Sequence, residues 1–129
     1  MIEKVKIELE YLLKTSPKVL ENMISTPSGL SEWFADDVSV RDDVYGFEWD
    51  NSEEKARILT KRVGSKMRFQ WLADEEDGND YYFEMKIAVD DMTKMVVLAI
   101  TDFAEIGEEE ETSRLWESSV HTLRGVIGA

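Results

Sequence analysis

Glu108-Glu109-Glu110-Glu111-Thr112-Ser113-Arg114-Leu115-Trp116-Glu117-Ser118-Ser119-Val120-His121-Thr122-Leu123-Arg124-Gly125-Val126-Ile127, near the end of this 129-residue chain, reads as one long helix. Trp116, Val120, Leu123 and Ile127 recur at helical spacing and share one face. The four leading glutamates complement the positive end of the helix dipole, and Arg124 stands near its negative end. Such a helix is about 30 Å long. Leu115, Ser119, Thr122 and Val126 flank the apolar stripe, while His121 projects to the opposite side with Arg114 and Ser118.

Everything before this helix reads mostly as strand. Val5, Ile7, Leu9 and Tyr11 alternate with Lys4, Lys6, Glu8 and Glu10, the pattern of a strand with one buried face. Ser16-Pro17 and Thr26-Pro27 each supply an N-cap followed by proline at the first helical position. They open two short helices, one presenting Val19, Leu20, Met23 and Ile24, the other Leu30, Trp33 and Phe34 and ending near Ala35. Six strand-like segments follow, at about 38–41, 44–50, 54–63, 66–73, 80–90 and 94–104. The fold class is therefore α+β: an antiparallel sheet of about seven strands with two short helices after the first strand and a long C-terminal helix. One long helix covers so large a sheet only if the sheet curls around it, which readily leaves an apolar space between them.

Gly64-Ser65 fits a two-residue hairpin turn, which sets Val63 opposite Lys66, Thr60 opposite Phe69 and Ile58 opposite Trp71. Ala56, Ile58, Thr60, Phe69 and Trp71 then face inward, with Tyr81, Phe83, Met85, Ile87 and Val89 continuing on the next strand. The apolar run from Met95 to Ile100 allows either parity. If Val96, Leu98 and Ile100 point to the core, Met95, Val97 and Ala99 form an outer strip, either covered by neighbouring side chains or available to a second subunit.

Composition bounds the function. The length suits a single domain that needs no disulfide, and the absence of cysteine excludes disulfides and thiolate metal sites. The charged start and the lack of a long apolar run point away from a signal peptide, a membrane anchor or membrane insertion, so a cytoplasmic location is expected. A net charge of −13 disfavours nucleic acid and anionic membranes. A single histidine on the outer helix face supports neither a nucleophilic triad nor a histidine metal site, and no phosphate-binding loop is present. The acidic run Asp74 to Asp80 lacks the acidic first ligand and flanking helices of a calcium loop, and Asp77-Gly78 reads as a solvated hairpin turn. No cofactor, no metal and no catalytic residue is called for.

Ser16-Pro17-Lys18-Val19-Leu20, Leu30-Ser31-Glu32-Trp33, Gly46-Phe47-Glu48-Trp49 and Leu115-Trp116 with Leu123, taken with the element order, resemble the START-like or SRPBCC superfamily. Within it they look most like the group related to the heat-shock chaperone ATPase activator. Gly46 stands alone where that group often has a glycine pair, and Leu115 replaces a common glycine. The resemblance covers nearly the whole chain and implies one START-like domain over residues 1–129 with the helix-grip fold. It also implies a cavity between sheet and C-terminal helix that takes a small hydrophobic ligand, lipid-like or polycyclic. Ile58, Phe69, Trp71, Phe83, Met85, Trp116, Val120 and Leu123 would line that space, Trp33 and Phe34 would close one end, and Tyr81, Thr60 or Ser119 would orient the ligand. Those aromatics fit a solid core equally well. Non-enzymatic ligand binding is the first reading. A protein-interaction or co-chaperone-like module using Asp42-Asp43 or Asp74 to Asp80, or a homodimer, is the second. A cyclase- or aromatase-like enzyme is the third, and needs an inward acid such as Glu48 or Asp50, whose facing the sequence leaves open.

Overall fold

The computed structural model describes residues 3–62 and 65–129. In chain order the elements are β1 (Lys4–Leu13), α1 (Pro17–Ser25), α2 (Pro27–Trp33), β2 (Asp37–Arg41), β3 (Val44–Trp49), β4 (Ser52–Arg62), β5 (Lys66–Trp71), α3 (Leu72–Glu76), β6 (Phe83–Val89), β7 (Val96–Glu105) and α4 (Glu109–Ile127). The seven strands form one antiparallel sheet in the order β1-β7-β6-β5-β4-β3-β2. The chain begins at one edge, crosses over through α1 and α2 to the other, and returns strand by strand until β7 closes on β1.

Local chemistry sets the helices as the sequence suggests. The Ser16 hydroxyl accepts from the Val19 amide at 3.2 Å, and Thr26 Oγ1 accepts from the Gly29 amide at 2.9 Å. Gly29 also lets α2 press on α1, since a Cβ there would lie 2.1 Å from the Asn22 carbonyl oxygen. Asp42-Asp43 and Asp50-Asn51 are two-residue links between paired strands, with Asp42 at φ 58° and Asp50 at φ 42°, a conformation aspartate tolerates better than bulky residues.

The β4–β5 register differs from the sequence expectation. Ile58 pairs with Phe69 and Ala56 with Trp71, while Thr60 pairs with Arg68 across a bulge that takes up Leu59. Thr60 thus shares the outer face with Arg68 and does not point inward. The expected turn rests on Val63 and Gly64, which lie outside the described residues. A second difference follows Trp71: β5 ends there and Leu72 to Glu76 forms a short helix instead of more strand and a solvated hairpin turn. Asp74 and Glu75 in its first turn suit the positive helix end, and Asp74 is buried, its carbonyl accepting from the Asn79 amide. Arg57 clamps the same segment, with Nε 2.8 Å from Glu75 Oε2 and Nη1 2.9 Å from Asp43 Oδ1.

The open parity of β7 resolves with Val96, Leu98, Ile100 and Ala104 buried against the helices. Val97 and Ala99 on the outer face are half-buried, flanked by Leu12 and Glu10 of β1 and by Ala88 and Lys86 of β6. α4 packs on β1 and β7 and against α2, and α1 lies over β6. Beneath them Phe47, Phe69 and Phe83 are fully buried, with Phe69 and Phe83 stacked at 5.0 Å and Phe47 edge-on to Phe69 at 5.7 Å. The middle of the sheet is a solid aromatic core, and one free space lies beside α4 at the ends of β3 and β5.

Candidate functional site

Trp49 closes β3, Trp71 closes β5, and Phe34 follows α2. These ends converge with the first half of α4 around a cavity of about 380 Å³ lined by Phe34, Trp49, Trp71, Asp102, Thr112, Leu115, Trp116, Ser118 and Ser119. Alternation puts Trp49 on the inner face with Tyr45 and Phe47. Helical spacing puts Thr112, Leu115, Trp116 and Ser119 along one side of α4. Leu115 is 65% exposed at the rim. Phe34 forms the inner wall: its ring lies 5.1 Å from Phe47, 5.6 Å from Trp49, 5.6 Å from Phe83 and 5.5 Å from Trp116. Trp49 Nε1 donates to the Phe34 carbonyl at 2.8 Å, so the aromatic wall is pinned as well as packed.

Among the described residues Asp102 is the only ionisable group lining this cavity. It follows Val96, Leu98 and Ile100 in alternation on β7 and so faces inward. Its Oδ2 accepts from Trp116 Nε1 at 2.8 Å and its Oδ1 from the Phe103 amide at 2.7 Å. Burial raises the Asp102 pKa above its ordinary value. The two hydrogen bonds and the charge of Lys4 oppose the rise, and Asp74 adds to it. An adjoining, more polar space of about 370 Å³ shares Phe34, Trp49, Ser118 and Ser119 and extends beside α2 past Glu32, Trp33 and Asp36.

A family profile described as the START-like superfamily domain matches residues 1–129. The chain belongs to the START-like superfamily. A START-like domain typically binds a hydrophobic ligand, and here the sheet, the two short helices and the long C-terminal helix supply its frame. A protein from Bacteroides fragilis, solved in solution, is similar with 42% identity and a TM-score of 0.67 over 98% of this chain and 92% of that one. The Aha1 dimer from Colwellia psychrerythraea shares the fold at 14% identity, TM-score 0.79, covering 95% of this chain and 96% of that one. So does a Cytophaga hutchinsonii protein at 14% identity, TM-score 0.71, covering 99% and 96%. Comparison with curated proteins gave no match.

The START-like domain brings some of the expected ligand contacts together and separates others. Phe34, Trp71, Trp116 and Ser119 line the cavity, and Trp33 lines the adjoining space while its Nε1 donates to the Met23 carbonyl at 2.9 Å. Phe69, Phe83, Met85, Val120 and Leu123 are buried in the core, and Ile58 packs half-buried against it. Tyr81 lies elsewhere: it precedes β6, accepts from the Lys4 amide at 3.1 Å and packs on Phe103 at 5.2 Å. Glu48 and Asp50 are exposed, so the inward acid is Asp102. Sequence reasoning passed over Asp102, Trp49, Thr112, Leu115 and Ser118. Parity was the available signal for Asp102 and Trp49, because both continue inward-facing alternations.

Proposed function

We propose that this START-like domain binds a small, predominantly apolar molecule in the cavity between α4 and the ends of β3 and β5. The supporting observation is the wall of Phe34, Trp49, Trp71 and Trp116 around about 380 Å³ of space, with Leu115 65% exposed at its edge. The domain's interior is already filled by Phe47, Phe69 and Phe83, so the ligand sits at the end of the sheet and not in its middle. Burying about 250 Å² of apolar surface is worth about 6 kcal/mol before the cost of association, which leaves polar groups to set orientation and selectivity. Thr112, Ser118, Ser119 and Asp102 provide them. The route in runs beside α2, through the polar space past Glu32 and Asp36. The interaction-module reading has less support, because Arg57 already engages both Asp43 and Glu75.

Trp49, Trp71 and Trp116 at one site make intrinsic fluorescence the direct test. Titration with fatty acids, sterols and flavonoids should give a saturable change for at least one class. That change should vanish in Ser119→Phe, which fills the cavity and leaves the far-ultraviolet circular dichroism unaltered. No saturable change with any class, together with no small molecule retained in native mass spectrometry of gently purified protein, overturns the reading.

A further inference from the structure

Asp102 presents an unusual combination: a half-buried carboxylate on the inner face of the sheet, with a single neutral N–H donor on each oxygen. Among the described residues it has no ion-pair partner. Lys4, whose charge reaches it, is drawn instead to Asp74 at 3.9 Å and to the face of Tyr81 at 5.3 Å. An ionised carboxylate accepts about four hydrogen bonds, so Asp102 keeps acceptor capacity beside the cavity it lines. The other walls are aromatic. Faces of tryptophan and phenylalanine carry negative potential and attract cations, tryptophan most strongly. Glu32 and Asp36 in the adjoining space, and a net charge of −13, add potential of the same sign. An anionic apolar ligand would meet repulsion on every count, and a neutral one would leave the carboxylate uncompensated.

We propose that the ligand of this cavity is an apolar or aromatic molecule bearing a substituted ammonium group, held among Trp49, Trp71 and Trp116 with its charge toward Asp102. The proposal rests on the reading of this cavity as a ligand site and specifies the charge of what it takes. Carboxylate and aromatic faces act together here, because withdrawal from water strengthens both attractions.

The test compares phenyltrimethylammonium with tert-butylbenzene, which has the same shape with carbon in place of the charged nitrogen. Binding is followed by tryptophan fluorescence at about 0.15 M salt, where long-range attraction is screened. The expected result is a preference of about tenfold or more for the cation. Asp102→Asn should reduce that preference several-fold, leaving the share contributed by the aromatic faces. It changes the net charge by only one unit of −13, so the reduced preference reports a local effect. Should Asp102→Asn fail to fold, Trp71→Leu is the second variant: Trp71 makes no side-chain hydrogen bond among the described residues, and its loss should reduce the preference several-fold. Equal binding of the two probes to the unaltered protein overturns the ammonium proposal and leaves the apolar site standing. No binding of either, with no response to the wider ligand classes, overturns both.

Discussion

Two acids, one buried and one half-buried, lie on opposite faces of neighbouring strands, and their surroundings differ completely. On the outer face Glu84 is 8% exposed, with Arg68 Nη2 2.8 Å and Lys66 Nζ 3.4 Å from its Oε1. Arg68 stands directly across from it on β5 and lies over the Tyr82 ring at 3.9 Å. On the inner face Asp102 accepts hydrogen bonds, among the described residues, from the Trp116 indole and the next amide of its own strand. Glu84 is electrically complete and belongs to the scaffold. Asp102 is oriented without being neutralised, the condition on which the ammonium proposal rests.

The comparison is broken most directly through Glu84. Arg68→Met leaves that carboxylate buried with only Lys66 beside it and should cost about 3 kcal/mol in urea unfolding. A loss below about 1 kcal/mol would show that water or Lys66 already suffices, and that the two acids are less different than their geometry suggests. Trp116→Phe probes the other side: it removes one of the two donors to Asp102 and shrinks a buried ring, for an expected loss of about 2 kcal/mol. The same variant should push the Asp102 pKa further up, readable by NMR titration of its carboxyl. An unchanged titration would mean that the indole does not hold the ionised form.

The smallest effect is the pH dependence of stability. Burial places the Asp102 pKa in the folded protein above its ordinary value, so in the interval between the two the native state holds more protons than the unfolded one. Stability from this group is therefore complete below the ordinary carboxylate value and is lost as pH rises through the raised one. Asp102→Asn lacks that component. Unfolding curves measured from acid to neutral pH should show the difference, native protein minus variant, declining with pH across that interval. A flat difference would return Asp102 to the ordinary carboxylates.

Alternation and capping made much of the frame legible. Val5 to Tyr11, Ser16-Pro17, Thr26-Pro27 and the Trp116, Val120, Leu123 stripe are short-range patterns, and each reads correctly because its physical cause lies within a few residues. The β4–β5 register could not be read that way: the bulge at Leu59 exchanges the faces of Thr60 and its neighbours, and a period of two does not report where it is interrupted. Helix α3 was hidden for a similar reason, since Asp74 and Glu75 are as compatible with a turn as with a helix until Asn79 and Arg57 hold them.

By itself, then, the sequence determined the class of fold, the order of its elements and the apolar face of the long helix, all consequences of local periodicity and backbone chemistry. The tertiary structure alone decided the rest. It chose the inward parity of β7 by pairing it between β1 and β6, and so turned Asp102 toward Trp116. It also filled the middle of the sheet with Phe47, Phe69 and Phe83 and gathered Trp49, Trp71 and Phe34 at its end. Those positions come from distant strands and a helix brought together, and a cavity is a property of what packing leaves empty, which no local pattern encodes.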